Sequence, residues 1–503
     1  MSKDFRNTVL LKFSEDPADV WTVDDATKGT SIIGGTGSGK TSASGKTIAM
    51  KFLEQGWGGL VLCAKSDEAK LWEEYCEDAN RGGDVIIFRK GAVHKQGPYI
   101  GEEMVFNPID YELYRSGEGA GETQNITNIF MNIYRMGNRI AGEGDVKEER
   151  YWDSALKRCL NRIIELIKLS GENLTYRNMV QVVTTATNLN KDIYLDALIA
   201  ADRGDDTNEL NKRNNYCLKC LVRAGQSMKE GDSIDKEDAM HMVEDYFTYV
   251  FPNMDDRTRS IVTESFLGLA EPFLSGILNK HFAGETNIFP EWTFEQHKII
   301  ILDFPIKEFL DAGIVAQCIF KLMFQQAVER RNITNFPTPV FLWGDEYQYF
   351  VNPYDQVFLT TARSSRTASV FLSQNISNYL AVMGSNESKA RVDSLLGNLC
   401  TKIFHSNTDA ETNEYASRLI GQDIGYLSNV SVQQAHLAVS YSETNAINSQ
   451  YLPQIQPREF TTLKTGGEAN DYKVNSIIIV SGKEWSSGKN YLPVTFTQSF
   501  KTT

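Results

Sequence analysis

The distribution of apolar and polar positions divides the chain into three stretches. In the first, residues 8–13 alternate weakly and read as an early strand. Residues 30–33 form a short apolar strand that runs straight into a glycine loop. Residues 42–55 then read as a helix, and the apolar runs at 59–63 and 84–88 as the next strands. Strands and helices alternating at this spacing predict parallel βαβ units, because parallel neighbours need a crossover long enough to hold a helix. Beyond Asp145 the period becomes that of helices. Helical segments are expected at 151–169, 175–184, 190–201, 213–227, 236–251 and 256–274, with polar loops at 203–207 and 229–233. The α/β pattern resumes with a strand at 298–303, a helix at 313–330 and strands at 340–343, 369–372, 401–404 and 475–480. Residues 464–471 read as a flexible loop. The expectation is an α/β domain in two parts, residues 1–145 and 291–503, interrupted by an all-α inserted domain at 146–290.

Composition narrows this little. A chain of 503 residues is too long for one compact core. With 41% apolar and 23% charged residues it is ordinary for a globular protein. The net charge of -14 excludes a surface that is basic all over, but not a local basic channel. No apolar run approaches the roughly 20 residues that span a bilayer, and the first residues form no apolar signal segment. The expectation is a cytoplasmic protein with no transmembrane segment of its own. Seven scattered cysteines fit reduced thiols better than a disulfide framework. Cys217-Leu-Lys-Cys220 lacks a second CxxC or a histidine pair to complete a zinc site, and reads as two helix cysteines.

The glycine loop carries the chemistry. Gly34-Gly35-Thr36-Gly37-Ser38-Gly39-Lys40-Thr41, followed by Ser42, fits G-x-x-x-x-G-K-[ST] between a strand and a helix. Glycines let successive backbone N–H groups turn toward phosphate oxygens, and the following helix directs its positive end at the same anion. Lys40 adds charge on the β and γ phosphates, and the Thr41 hydroxyl ligates Mg²⁺. ATP and Mg²⁺ are the predicted cofactors. Downstream, the apolar strand before Asp345-Glu346 fits a Walker B site. Asp345 would hold Mg²⁺ through water, and Glu346 would position and polarise the attacking water. An acidic pair after a strand is also a common helix cap; the upstream P-loop favours the catalytic reading. Gln374 stands where the adjacent strand ends and would sense the γ-phosphate. Arg363 and Arg366 read equally as arginine fingers for a neighbouring subunit or as surface arginines.

Around these motifs lie further blocks. Asp24-Asp25-Ala26-Thr27 and a short strand precede the P-loop. Asn107-Pro108 follows it, then Tyr151-Trp152 with Ala155. Ser373-Gln374 follows Arg363 and Arg366. Leu396-Gly397-Asn398, Asp409, Glu411-Thr412 and Tyr415 come next, then residues 457–463 and 477–482. In this order, around a helical insertion, the chain resembles the coupling-protein ATPases of bacterial conjugation and type IV secretion (TraG/TraD-like). These belong to the clan of ring motors that includes FtsK and HerA. The resemblance covers nearly the whole chain. It implies a RecA-like P-loop NTPase core with a mainly parallel sheet, and a homohexameric ring with a central channel. ATP hydrolysis between subunits would move DNA or a nucleoprotein such as a relaxase complex, with a membrane-anchored secretion partner recruiting the ring to the inner face of the membrane. Two features depart from the family. Its usual N-terminal anchor has no counterpart in residues 1–33. Its Asp-Pro-Lys-Gly-Glu-like segment is Cys63-Ala64-Lys65-Ser66-Asp67-Glu68 here, which keeps the lysine and acids. Two other functions stay open: an ATPase delivering a protein substrate, and a nucleotide-gated assembly module such as a phage-defence ATPase. The acidic run at 231–238 is a poor match for phosphates, so the helical stretch is expected to contact protein.

Overall fold

The computed structural model describes residues 5–141, 146–203, 215–383, 388–434 and 441–498. In chain order the strands are β1 (Val9–Lys12), β2 (Val20–Thr22), β3 (Thr30–Ile33), β4 (Gly58–Leu62), β5 (Val85–Arg89), β6 (Ile299–Asp303) and β7 (Val340–Gly344). They continue with β8 (Thr367–Ser373), β9 (Thr401–Phe404), β10 (Gln422–Gln434), β11 (Tyr441–Pro453), β12 (Lys473–Val480) and β13 (Tyr491–Thr497). Nine of them form one sheet in the order β13-β12-β9-β3-β8-β7-β4-β6-β5. From β9 to β5 every pairing is parallel, and β12 and β13 add an antiparallel edge. The α/β, mainly parallel architecture expected from the sequence is thus observed.

The sheet is covered on both faces, which is why its central strands read as continuous apolar runs. Successive residues point to opposite sides. Leu60, Leu62, Ile300, Leu302 and Leu342 join a large core shared with the helix Ile306–Arg330 and the helical stretch. Val61, Ile299, Ile301, Phe341 and Trp343 join a second core against the helices Lys46–Glu54 and Glu68–Asp78. Trp21 and Trp485 close that second core near the two ends of the chain.

Between β5 and β6 the regular elements are helical. Five of these helices start at a polar cap: Thr175, Asn190, Asn215, Ser233 and Asp255. Each side chain accepts from the backbone N–H three residues on, which satisfies one of the orphan donors of a first turn. Cys217 and Cys220 are buried on one such helix, Tyr216–Gln226. Helix also precedes the expected insertion, at Pro108–Tyr114 and Thr123–Ala141. Asn107 caps the first of these, accepting from the Ile109 N–H, with proline in the first turn. The boundary read near Asp145 and most of the loop read at 203–207 lie outside the described residues.

Two details differ from the sequence reading. The helix after β6 starts at Ile306 and is broken at Leu310, so the periodicity registered only its later part. β2, β10, β11 and β13 were not expected. β13 contains Pro493 and lies at the sheet edge, where a missing N–H is tolerated. β10 and β11 pair only with each other, in a hairpin rich in Ser, Asn and Gln with little apolar alternation to read. Among the described residues no single helix is long and apolar enough to cross a membrane.

Candidate active site

The glycine loop leaves the carboxyl end of β3 and is anchored on both sides. The Gly34 N–H donates to Ser373 O at the end of β8, and the Gly35 N–H to Ser406 O beyond β9. Gly39 has φ +84°, and a Cβ there would lie 2.6 Å from Val474, so a side chain at this position strains the backbone and clashes with β12. The chain then winds one wide turn, Thr41–Gly45, before the regular helix Lys46–Glu54. Lys40 is buried, and the Ser38 hydroxyl is buried without a hydrogen-bond partner. Ser42 accepts a hydrogen bond from Gln498 (2.7 Å), just past β13.

Walker A and Walker B meet across 304 residues of sequence. The Thr41 hydroxyl donates to Asp345 Oδ2 at 2.7 Å. Two oxygen donors of the kind Mg²⁺ prefers therefore converge beside the phosphate loop, so these residues fit that ion. Glu346 follows in the left-handed region, φ 47° and ψ 43°. This conformation is sparsely populated for a non-glycine residue, and such strain gathers at functional sites. Its carboxylate is held from three directions. Oε1 accepts from Lys65 Nζ (3.0 Å) and Gln374 Nε2 (3.0 Å), and Oε2 from Gln348 Nε2 (3.1 Å). Burial works against the charged form. The bonds from Gln374 and Gln348, the Lys40 charge and the Lys65 contact outweigh it and hold the group below the usual glutamate value. Glu346 is thus ionised at neutral pH, as water positioning requires.

A second acid lies close by. Glu68 Oε2 accepts from the N–H groups of Ala64 (2.7 Å) and Lys65 (3.3 Å), while Oε1 is buried without a hydrogen-bond partner. Burial, reinforced by the charge of Asp345, pushes its carboxyl up to about 8. Behind the phosphate loop, His405 is buried between Ser44 and Asn475. Its Nδ1–H donates to Asn475 O (3.2 Å), leaving Nε2 to accept from the Ser44 hydroxyl (2.7 Å). Burial, with some help from the Lys40 charge, pushes this imidazole down to about 4.

The structure therefore gathers the segment from Gly34 to Ser42 with Asp345, Glu346 and Gln374. It does not bring Arg363 or Arg366 to this point. Both precede β8, whereas Gln374 follows it, and seven residues of strand rise roughly 20 Å. Arg363 pairs with Asp24 (3.0 Å). Arg366 donates to Pro337 O (2.6 Å) and lies over the Phe5 ring. Sequence reasoning assigned no role to Gln348, His405 or Gln498, and none to Lys65 beyond its place in a family segment. Besides that segment for Lys65, Gln348 had a signal in its place two residues after Glu346.

Residues 339–465 match the family model described as the TraM recognition site of TraD and TraG. No match was found among curated protein sequences. Among solved structures, the fold is similar to the bacterial conjugative coupling protein TrwBdeltaN70 in an unbound form. The TM-score is 0.55 at 12% identity, covering 99% of this chain and 90% of that one. Plasmid coupling protein TrwB with the ATP analogue ADPNP gives TM-score 0.55 at 12% identity, over 99% and 91% of the two chains. TrwB with ADP and Mg²⁺ gives 0.52 at 12%, over 99% and 90%. At this identity the structural likeness establishes the shared P-loop fold, and the matched segment carries the family likeness.

Proposed function

Starting from a chain similar to the conjugation coupling proteins in fold and over residues 339–465, we propose that it is an ATP-hydrolysing motor that moves or delivers DNA or a nucleoprotein substrate. The observation that carries this is the convergence of Thr41, Asp345, Glu346 and Gln374 at the mouth of one glycine loop. The N–H groups of residues 34–41 and Lys40 would bind the triphosphate. Thr41 and Asp345 would hold Mg²⁺, directly and through water, which supplies positive charge against the β and γ oxygens. Glu346 would orient a water in line with the γ-phosphorus, whose bond to the bridging oxygen breaks as the new P–O bond forms. Gln374, bonded to that carboxylate, links the Glu346 position to the end of β8. The TrwB structures with ADPNP and with ADP and Mg²⁺ support nucleotide and ion in this fold.

In this reading the working unit is a homo-oligomer, a hexameric ring by family resemblance, in which Arg363 or Arg366 reaches a neighbouring site. The matched segment is described by recognition of a protein, TraM, which supports a protein partner on the α/β half. A cytoplasmic location, with recruitment to a membrane by a secretion partner, completes the proposal. The test is ATP turnover with and without single- and double-stranded DNA, beside a native mass measurement. Lys40→Ala is expected to lose nucleotide binding. Glu346→Gln is expected to retain it while turnover falls by about 10²–10⁴-fold. Wild-type turnover in both variants would show that the site lies elsewhere; turnover indifferent to DNA but raised by a protein would redirect the motor to protein cargo.

A further inference from the structure

The turn after β4 reaches into the proposed catalytic centre. Lys65 is the third residue past that strand, and its Nζ lies 3.0 Å from Glu346 Oε1. The two partners differ in environment: the lysine side chain is 46% exposed and the glutamate 4%. The lysine backbone is fixed locally. Glu68 Oε2 accepts from both the Ala64 and Lys65 N–H groups, and the Ile306 N–H donates to Ala64 O. This turn is therefore pinned to the helix Glu68–Asp78 on one side and to the helix after β6 on the other.

Glu346 has reason to need such support. Its backbone is left-handed, which costs a non-glycine residue about 1–3 kcal/mol. Its side chain must hold one rotamer for a water-orienting carboxylate to work. Gln348 and Gln374 supply neutral donors to the carboxylate, while Lys65 supplies a cationic one and so adds charge to direction. Lys65 shares Oε1 with Gln374, so the two donors fix that oxygen, while Oε2 has the single bond from Gln348.

We propose that Lys65 is a positioning residue for ATP hydrolysis, acting through Glu346: it holds the carboxylate in the orientation that aims the attacking water. This rests on the ATPase reading above. A misplacement of about 1 Å at such a group costs on the order of 10²-fold in rate. Lys65→Ala is therefore expected to lower kcat by about 10–100-fold, with KM for ATP and affinity for a fluorescent ATP analogue unchanged. Lys65→Arg, which keeps the charge and a donor, is expected to recover much of the loss. The half-exposed position makes misfolding a minor outcome, and an unchanged unfolding temperature checks it.

The decisive comparison is a cycle with Glu346→Gln under single-turnover conditions. If Lys65 works through the carboxylate, Lys65→Ala changes the rate little in the Glu346→Gln background. An equal fold-loss in both backgrounds would place Lys65 on the phosphate instead and overturn the proposal, as would an unchanged or raised kcat. Turnover that requires Lys40 but ignores Lys65 overturns this inference alone. A parent chain without Lys40-dependent turnover overturns the ATPase reading and this inference with it.

Discussion

Replacing Lys321 by methionine probes how the Walker B acids are held. Lys321 and Asp355 are fully buried, with Nζ 2.8 and 2.9 Å from the two carboxylate oxygens. The same ammonium donates to Tyr347 Oη (3.0 Å) and to Phe350 O. Asp355 also accepts from Gln325 and from the Asn352 N–H. One lysine on the helix Ile306–Arg330 thus fastens residues 347–355, which follow directly on Glu346. Tyr347 is stacked on Phe371 of β8, with centroids 3.5 Å apart. Methionine fills much of the volume but leaves a buried carboxylate without its cation. Breaking a buried pair from one side costs about 3–5 kcal/mol, against a total stability of about 5–15 kcal/mol. For an α/β domain of more than about 300 residues the shift is about 1–2 °C per kcal/mol, so the unfolding midpoint should fall by roughly 3–10 °C. Adding Asp355→Asn removes the stranded charge but keeps only one acceptor oxygen where Gln325 and the Asn352 N–H use two, so the double variant should recover part of the loss. Circular dichroism melts of the parent, both single variants and the double variant measure this. A Lys321→Met loss below about 1 kcal/mol, or a double variant no better than the single one, would refute the ion-pair argument.

Two more predictions concern His405 behind the phosphate loop and Arg363 remote from it. Because the folded value of His405 (about 4) lies below its unfolded value of 6.5, the folded chain binds the proton less readily. The stability it contributes is complete above about pH 6.5 and is lost as pH falls toward 4, up to roughly 3 kcal/mol. Urea unfolding of the parent and His405→Gln across pH 7.5–4 should show a shallower decline in the variant, and parallel curves would contradict the assignment. Arg363→Ala subunits should bind ATP yet fail to hydrolyse it, and mixing with Lys40→Ala subunits should restore some turnover. Mixed oligomers that stay inactive at every ratio would count against action in trans.

What could be read from the sequence follows from how local each signal is. The phosphate loop is a continuous motif between a strand and a helix, so Gly34 to Thr41 announced the element from the sequence alone. β3, β4, β6 and β7 were legible because burial on both faces leaves runs such as Ile299-Ile300-Ile301-Leu302. The hairpin of β10 and β11 lacks that signal because its residues are largely polar. Support for the Glu346 carboxylate was hidden for a different reason. Lys65 lies 281 residues from Glu346, and Gln498 lies 456 from Ser42. No periodicity or spacing reports a contact made by folding distant strand ends together. The left-handed backbone at Glu346 was equally invisible, since the residue itself has no preference for it.

β8 separates two kinds of candidate. Gln374 stands past its carboxyl end, within hydrogen-bond reach of Glu346, so any service it performs is to the site of its own chain. Arg363 stands before its amino end, a strand's length away, where Asp24 of the helical turn Val23–Thr27 holds it. A rigid strand buried along its whole length cannot bend to bring that guanidinium to the local phosphate loop. If Arg363 stabilises a transferring phosphoryl group, that group belongs to another copy of the chain. The same reasoning gives Asp24 a part in the proposal: a carboxylate 3.0 Å from the guanidinium fixes its direction while the site is alone. A phosphate arriving from a neighbour must displace that ion pair, which with its arginine half-exposed is worth only about 0–1 kcal/mol. The contact is strong enough to aim the arginine and weak enough to release it, a combination that suits a residue waiting for a partner's nucleotide.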